Sequence, residues 1–135
     1  MDKLFNRVVH FEIHALDPER AIKFYTEVFD WSIKKWEATS VEYWLVATCP
    51  ENTPNSINGG LVRRKGAAPA ENAPISGCVC VLSVKNIDET LKKVTEKGGR
   101  VAIPKSEVPN IGFLAYFEDT ERNIFGIWQD AKNTR

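Results

Sequence analysis

From Val8 to Ala15 the chain alternates, with Val9, Phe11 and Ile13 on one side and His10, Glu12 and His14 on the other. That two-residue period predicts a strand with one buried face. The period then changes. Asp17 suits a helix N-cap, Pro18 the first helical position and Glu19 the positive helix end, while Ile22, Tyr25, Val28 and Phe29 form an apolar stripe at helical spacing. The helix is expected to close at Phe29-Asp30. Trp31 to Trp36 and Val41 to Thr48 read as β segments, Cys49 to Asn55 as a loop dense in turn formers, and Ile57 to Arg63 as a short strand containing Gly59 and Gly60.

Lys65 to Ala73 lacks periodicity and carries Gly, Pro and Ala, which predicts a linker. Beyond it the order recurs. Gly77 to Val84 is a β-rich run. Asn86 stands three residues before Glu89 in a capping-box arrangement, Ile87, Leu91 and Val94 supply an apolar stripe, and Gly98-Gly99 provides a cheap stop. Val101 to Ile103, Phe113 to Phe117 and Ile124 to Gln129 complete three further strands. The two caps, Asp17 and Asn86, lie 69 residues apart, and the helix ends keep that offset. A β-α-β-β-β unit is therefore expected twice. The predicted organisation is one domain over residues 1–135, with one module at about 7–63, a linker at about 64–75 and a second module at about 76–130.

Composition narrows the partners. A length of 135 residues is enough for one real core. Lys plus Arg equals Asp plus Glu at 18 each, so no cationic footprint for nucleic acid or an anionic membrane is present. No stretch has the length of a signal peptide's apolar core or a bilayer span, and a cytoplasmic, soluble protein is expected. Cys49, Cys78 and Cys80 form no Cys-x-x-Cys pair, and they are expected as buried small residues rather than as a disulfide or zinc framework.

Several stretches together are similar to one known family. His10 followed by Asp17-Pro-Glu-Arg-Ala-Ile-Lys-Phe-Tyr25, the Gly-Gly-Leu at 59–61, the Gly98-Gly99 pair and Glu118-Asp119-Thr-Glu-Arg-Asn123-Ile-Phe-Gly-Ile-Trp-Gln129 resemble the vicinal-oxygen-chelate superfamily of glyoxalases, bleomycin-resistance proteins and extradiol dioxygenases. The resemblance covers about Val8 to Gln129. It implies an α+β, glyoxalase-like fold: two β-α-β-β-β modules with curled mixed sheets around a cleft, usually completed as a homodimer. The last turn departs from the family's Asp-Pro-Glu/Asp-Gly-Asn. Without that Gly, Arg122 must either accept a left-handed conformation at about 1 kcal/mol or force a different turn.

Metal-dependent members of the family take a ligand from the first and last strand of each module. Those places fall on His10, Val79, Gly126 and Gly59 or Gly60, of which only His10 has a donor side chain. A catalytic divalent metal needs about three protein ligands. Residues two apart on a strand lie about 7 Å apart on one face, so His10 and Glu12 could share an ion that His14, at about 13 Å from His10, could not readily join. No metal and no other cofactor is expected, and nucleotide-binding glycine motifs are absent.

What remains is a His10–Glu12 pair. An imidazole titrates near neutral pH, and a carboxylate beside it can fix its tautomer or raise its pKa, which suits the pair to proton transfer. The competing reading makes His10 a hydrogen-bonded wall residue. Trp36, Trp44 and His14 are the candidate ligand-binding side chains, because a curled sheet rich in Trp presents flat surfaces to planar ligands. Two functions stay open: a metal-independent enzyme of proton-transfer, isomerase or lyase type acting on a small molecule, and a non-catalytic small-molecule binding protein of the bleomycin-resistance type.

Overall fold

In the computed structural model, which describes residues 5–133, the chain runs β1 (Arg7–Ala15), α1 (Pro18–Phe29), β2 (Ser32–Lys35), β3 (Trp44–Ala47), β4 (Gly59–Arg63), β5 (Val79–Ser83), α2 (Ile87–Glu96), β6 (Arg100–Val108), β7 (Gly112–Glu118) and β8 (Ile124–Asp130), then a short 3-10 turn. This is the mixed α+β order β-α-β-β-β, twice. Residues 1–4 and 134–135, which the expected single domain also spans, lie outside the described residues. The chain forms two compact units, residues 10–78 and Val79 onward, the latter joined by the start of β1 up to Val9.

In the unit of residues 10–78 the strand order is β2-β3-β4-β1, with β1 parallel to β4 and the other pairs antiparallel. Phe11 pairs with Gly59, and Ile13 with Leu61, which itself pairs with Trp44. These positions share the face that α1 covers, where Ala15, Val46 and Leu61 are buried and Ala21, Ile22, Trp31 and Trp44 pack on them. Because side chains alternate along a strand, His10, Glu12 and His14 occupy the opposite face with Gly60 and Leu45. The helix begins where Asp17 Oδ1 accepts the Arg20 amide at 3.1 Å and ends at Asp30, whose φ of 60° is left-handed.

The other unit repeats the plan as β5-β8-β7-β6. Its core is Val84, Ile87, Ala115 and Ile127, packed by Leu82, Leu91, Phe113 and Phe117. Two side chains satisfy the first amides of α2: Asn86 Oδ1 accepts from Glu89 N at 2.9 Å, and the buried Gln129 Oε1 from Ile87 N at 2.8 Å. Gly98, with φ 101°, follows the helix end.

Two expectations change. β6 is nine residues long rather than three; its pairing with β7 shifts register on either side of Ile103, so that Pro104, which has no amide proton, is accommodated in an irregular edge strand. The cysteines are not buried: Cys78 is exposed ahead of β5, and Cys49 and Cys80 are half-buried. At the last turn the left-handed alternative holds, with Arg122 at φ 67°. The turn is fixed by Asp119 Oδ1, which accepts the amides of Glu121 and Asn123 at 2.8 and 2.9 Å. Among the described residues no helix is long and apolar enough to cross a membrane.

Candidate functional site

The face of β1 that α1 leaves uncovered carries a chain of polar side chains. Glu12 is 2 % exposed. Its Oε2 accepts the Tyr43 hydroxyl at 3.1 Å, that hydroxyl lies 2.7 Å from His10 Nε2, and His14 Nε2 stands 3.3 Å from Glu12 Oε1. The order is therefore His10–Tyr43–Glu12–His14, with Tyr43 between the two residues that the sequence pairs directly. His14 is near this chain at its more open end, its side chain 28 % exposed.

Local geometry explains why Tyr43 reaches so far. It precedes β3, one residue before the core-facing Trp44, so it points to the face of Glu12. The Trp36 amide donates to its carbonyl at 2.8 Å and closes the β2–β3 hairpin. Its ring then crosses toward Gly60, where a Cβ would overlap the phenol oxygen, Cζ and Cε1. A glycine inside a strand commonly marks such a close approach. The His10 and Tyr43 rings lie nearly parallel, 19° apart with centroids at 6.4 Å, and Trp36 meets Tyr43 edge-on at 5.9 Å.

Trp36 thus adjoins the polar chain through Tyr43. Trp44 does not: the expectation that it lines a cleft is corrected, because strand alternation turns it to the core beside Leu61 and Val46, with Lys35 Nζ 5.9 Å from its ring centre. Tyr43 was not among the candidates. The aromatic run Tyr43-Trp44 and Gly60 together carried the signal, since alternation separates the two rings and the glycine leaves room for one.

Electrostatics favour a neutral imidazole. Burial pushes His10 below its ordinary 6.5, and the Glu12 carboxylate pulls it partly back. Because the Tyr43 hydroxyl donates to Glu12 Oε2, its oxygen is left to accept from His10 Nε2–H, the tautomer that leaves the lone pair on Nδ1.

The family's metal would need donor side chains on the first and last strands of each module. The register pairs Glu12 with Gly60 and Val81 with Gly126, and Glu12 and Val81 are 69 residues apart, so Gly60 rather than Gly59 matches Gly126. At Gly60 the space for a ligand side chain is filled by the Tyr43 hydroxyl. At Gly126 an added Cβ would meet Val81 Cγ2 at 3.1 Å and the Tyr116 ring at 3.3 Å. Among the described residues no three His, Cys, Asp or Glu side chains gather for a metal ion. The residues do not fit the family's metal centre.

Comparison with known proteins agrees with the fold. A protein from Didymella fabae described as a glyoxylase-like domain-containing protein is 29% identical over 128 residues, covering 92% of this chain and 94% of its own. Among solved structures, methylmalonyl-CoA epimerase from Mycobacterium tuberculosis superposes with a TM-score of 0.59 at 14% identity, over 97% of this chain and 93% of that one. A hypothetical protein from Bacillus halodurans C-125 gives 0.59 at 13% identity, over 92% and 94%. At such identities these structures establish the fold alone. The sequence itself matches a described family over residues 7–127, and the chain belongs to the Glyoxalase/Bleomycin resistance protein/Dioxygenase superfamily.

Proposed function

We propose that the chain is an enzyme of isomerase or lyase type that moves a proton on a small molecule without a metal, with His10 as general base. The observation that carries this reading is the His10–Tyr43–Glu12 hydrogen-bonded chain, with its 2.7 and 3.1 Å contacts. Burial keeps the imidazole unprotonated at neutral pH, so Nδ1 is ready to accept a proton from carbon or oxygen. As His10 becomes imidazolium, its Nε2–H bond to Tyr43 strengthens, and the buried Glu12 carboxylate stabilises the charge through the phenol. Glu12 and Tyr43 are positioning residues in this scheme, and the Trp36 ring beside Tyr43 is the stacking surface for the ligand. A homodimer, as the family resemblance implies, and a cytoplasmic location are part of the same reading, and sedimentation tests the dimer.

The alternative is a non-catalytic binding protein of the bleomycin-resistance type, favoured by the Trp36 ring standing edge-on to Tyr43. One experiment separates them. Chelator-treated protein in D2O is given a panel of small 2-oxo acids and acyl thioesters, and deuterium uptake at the α-carbon is followed by NMR. The enzyme reading expects uptake that falls by about 100-fold or more in His10→Ala and by about tenfold in Tyr43→Phe. Saturable quenching of Trp fluorescence with no uptake favours the binding protein, and uptake that requires added divalent metal overturns the metal-free mechanism.

A further inference from the structure

A cavity of about 380 Å³ lies within the unit of residues 10–78, lined by Phe11, Ile13, His14, Tyr25, Trp31, Arg64 and the segment at Ser76–Cys78. Phe11 and Ile13 belong to the helix-covered face of β1, so this space opens away from His10 and Glu12, and of the polar face only His14, at the strand's end, reaches its edge. Its wall is flat and aromatic. Tyr25 and Trp31 stack with centroids 5.1 Å apart and planes 9° apart, and Phe11 leans on Trp31 at 6.0 Å.

Into this apolar space the chain places a guanidinium. Arg64 Nη2 donates to the His14 carbonyl at 2.9 Å, which uses one of five N–H donors and fixes the fork's orientation. Among the described residues no carboxylate forms an ion pair with it. The acid of the adjoining cavity, Asp17, is held by the Arg20 amide. A guanidinium beside aromatic rings is matched by a planar anion, because the fork binds carboxylate through two parallel bonds and the rings take a flat apolar body. The volume falls in the range of about 300–1,000 Å³ found for small-molecule sites.

We propose that this cavity is a second ligand site, which takes a small aromatic carboxylate with its ring on the Tyr25–Trp31 wall and its carboxylate on Arg64. The test uses the indole N–H signal of Trp31, assigned with Trp31→Phe, in the full chain titrated with benzoate and with its neutral analogue benzamide. Benzoate is expected to shift Trp31 saturably and to bind at least about tenfold more tightly than benzamide, and Arg64→Gln is expected to remove that preference. His10→Ala, which disables the proton-transfer site, is expected to leave benzoate binding unchanged, so failure of either site is read separately. Equal binding of benzoate and benzamide by the wild type overturns the proposal whether or not Arg64→Gln folds. So do shifts confined to Trp36, a Trp31 signal that moves with protein concentration alone because a second copy covers the cavity, and no saturation below about 10 mM.

Discussion

Gly60 and Tyr43 share one volume: the glycine leaves it empty and the phenol hydroxyl enters it. The bond from that hydroxyl to Glu12, and its contact with His10, depend on the absence of a methyl group on the neighbouring strand.

Gly60→Ala is expected to displace the Tyr43 ring and to destabilise the fold by about 1–3 kcal/mol, the usual range for overpacking. Chemical denaturation of a double-mutant cycle checks the cause. In a Tyr43→Ala background the same substitution should cost less than half as much; an undiminished cost would place the clash elsewhere.

The His10 imidazole is expected to titrate below 6.5 in the folded protein, with burial as the larger cause and Glu12 opposing it. Glu12→Gln removes the opposing charge, so the His10 midpoint read from its ring protons by NMR should fall further. Stability follows the same sign. Between the folded and unfolded midpoints the unfolded chain binds more protons, so His10's contribution is complete above the unfolded value and is lost as pH falls through it, levelling below the folded value. In His10→Ala that part of the slope should vanish.

Gln129→Leu leaves the amide of Ile87 without its 2.8 Å acceptor at the buried start of α2. A loss of about 1–3 kcal/mol is expected in thermal or urea unfolding, the cost of an unsatisfied buried donor. Gln129→Glu retains an acceptor and should lose less at neutral pH than Leu.

Arg122 holds a left-handed backbone at φ 67°. Arg122→Gly relieves the steric cost while making the unfolded chain more flexible, and a net gain of up to about 1 kcal/mol is expected. Arg122→Val should be destabilising, since a β-branched side chain resists that conformation more strongly. Equal stability for the Gly and Val variants would show that the turn relaxes to another form.

The two modules were legible because alternation and helical spacing are local. Asp17 and Asn86 mark helix starts through their own side-chain oxygens and Gly98 a helix end through its left-handed backbone, and the structure uses all three. β6 was not legible at full length because Pro104 reads as a strand breaker until bulges are known. At the site, the faces of His10, Glu12 and His14 followed from the period of two. Their connection did not: Tyr43 is 31 residues from Glu12, and only the β3–β4 register brings it over Gly60. Trp44 went astray for the same reason, since its hydrophobicity suits either face and only Leu61, its cross-strand partner, shows which one it takes.

The second module carries the same backbone with different letters. Where the first has His10, Glu12 and Gly60, the second has Val79, Val81 and Gly126, and the ring against that glycine is Tyr116, directly across in β7. The register makes Leu114 the counterpart of Tyr43. The chain therefore contains its own control: one copy of the repeat holds the polar relay, and the other shows how the same strands look when the counterparts of His10, Glu12 and Tyr43 are apolar and that of His14 is Ser83. A chimera that swaps these letters between copies can ask whether the chemistry belongs to the relay or to its place in the sequence.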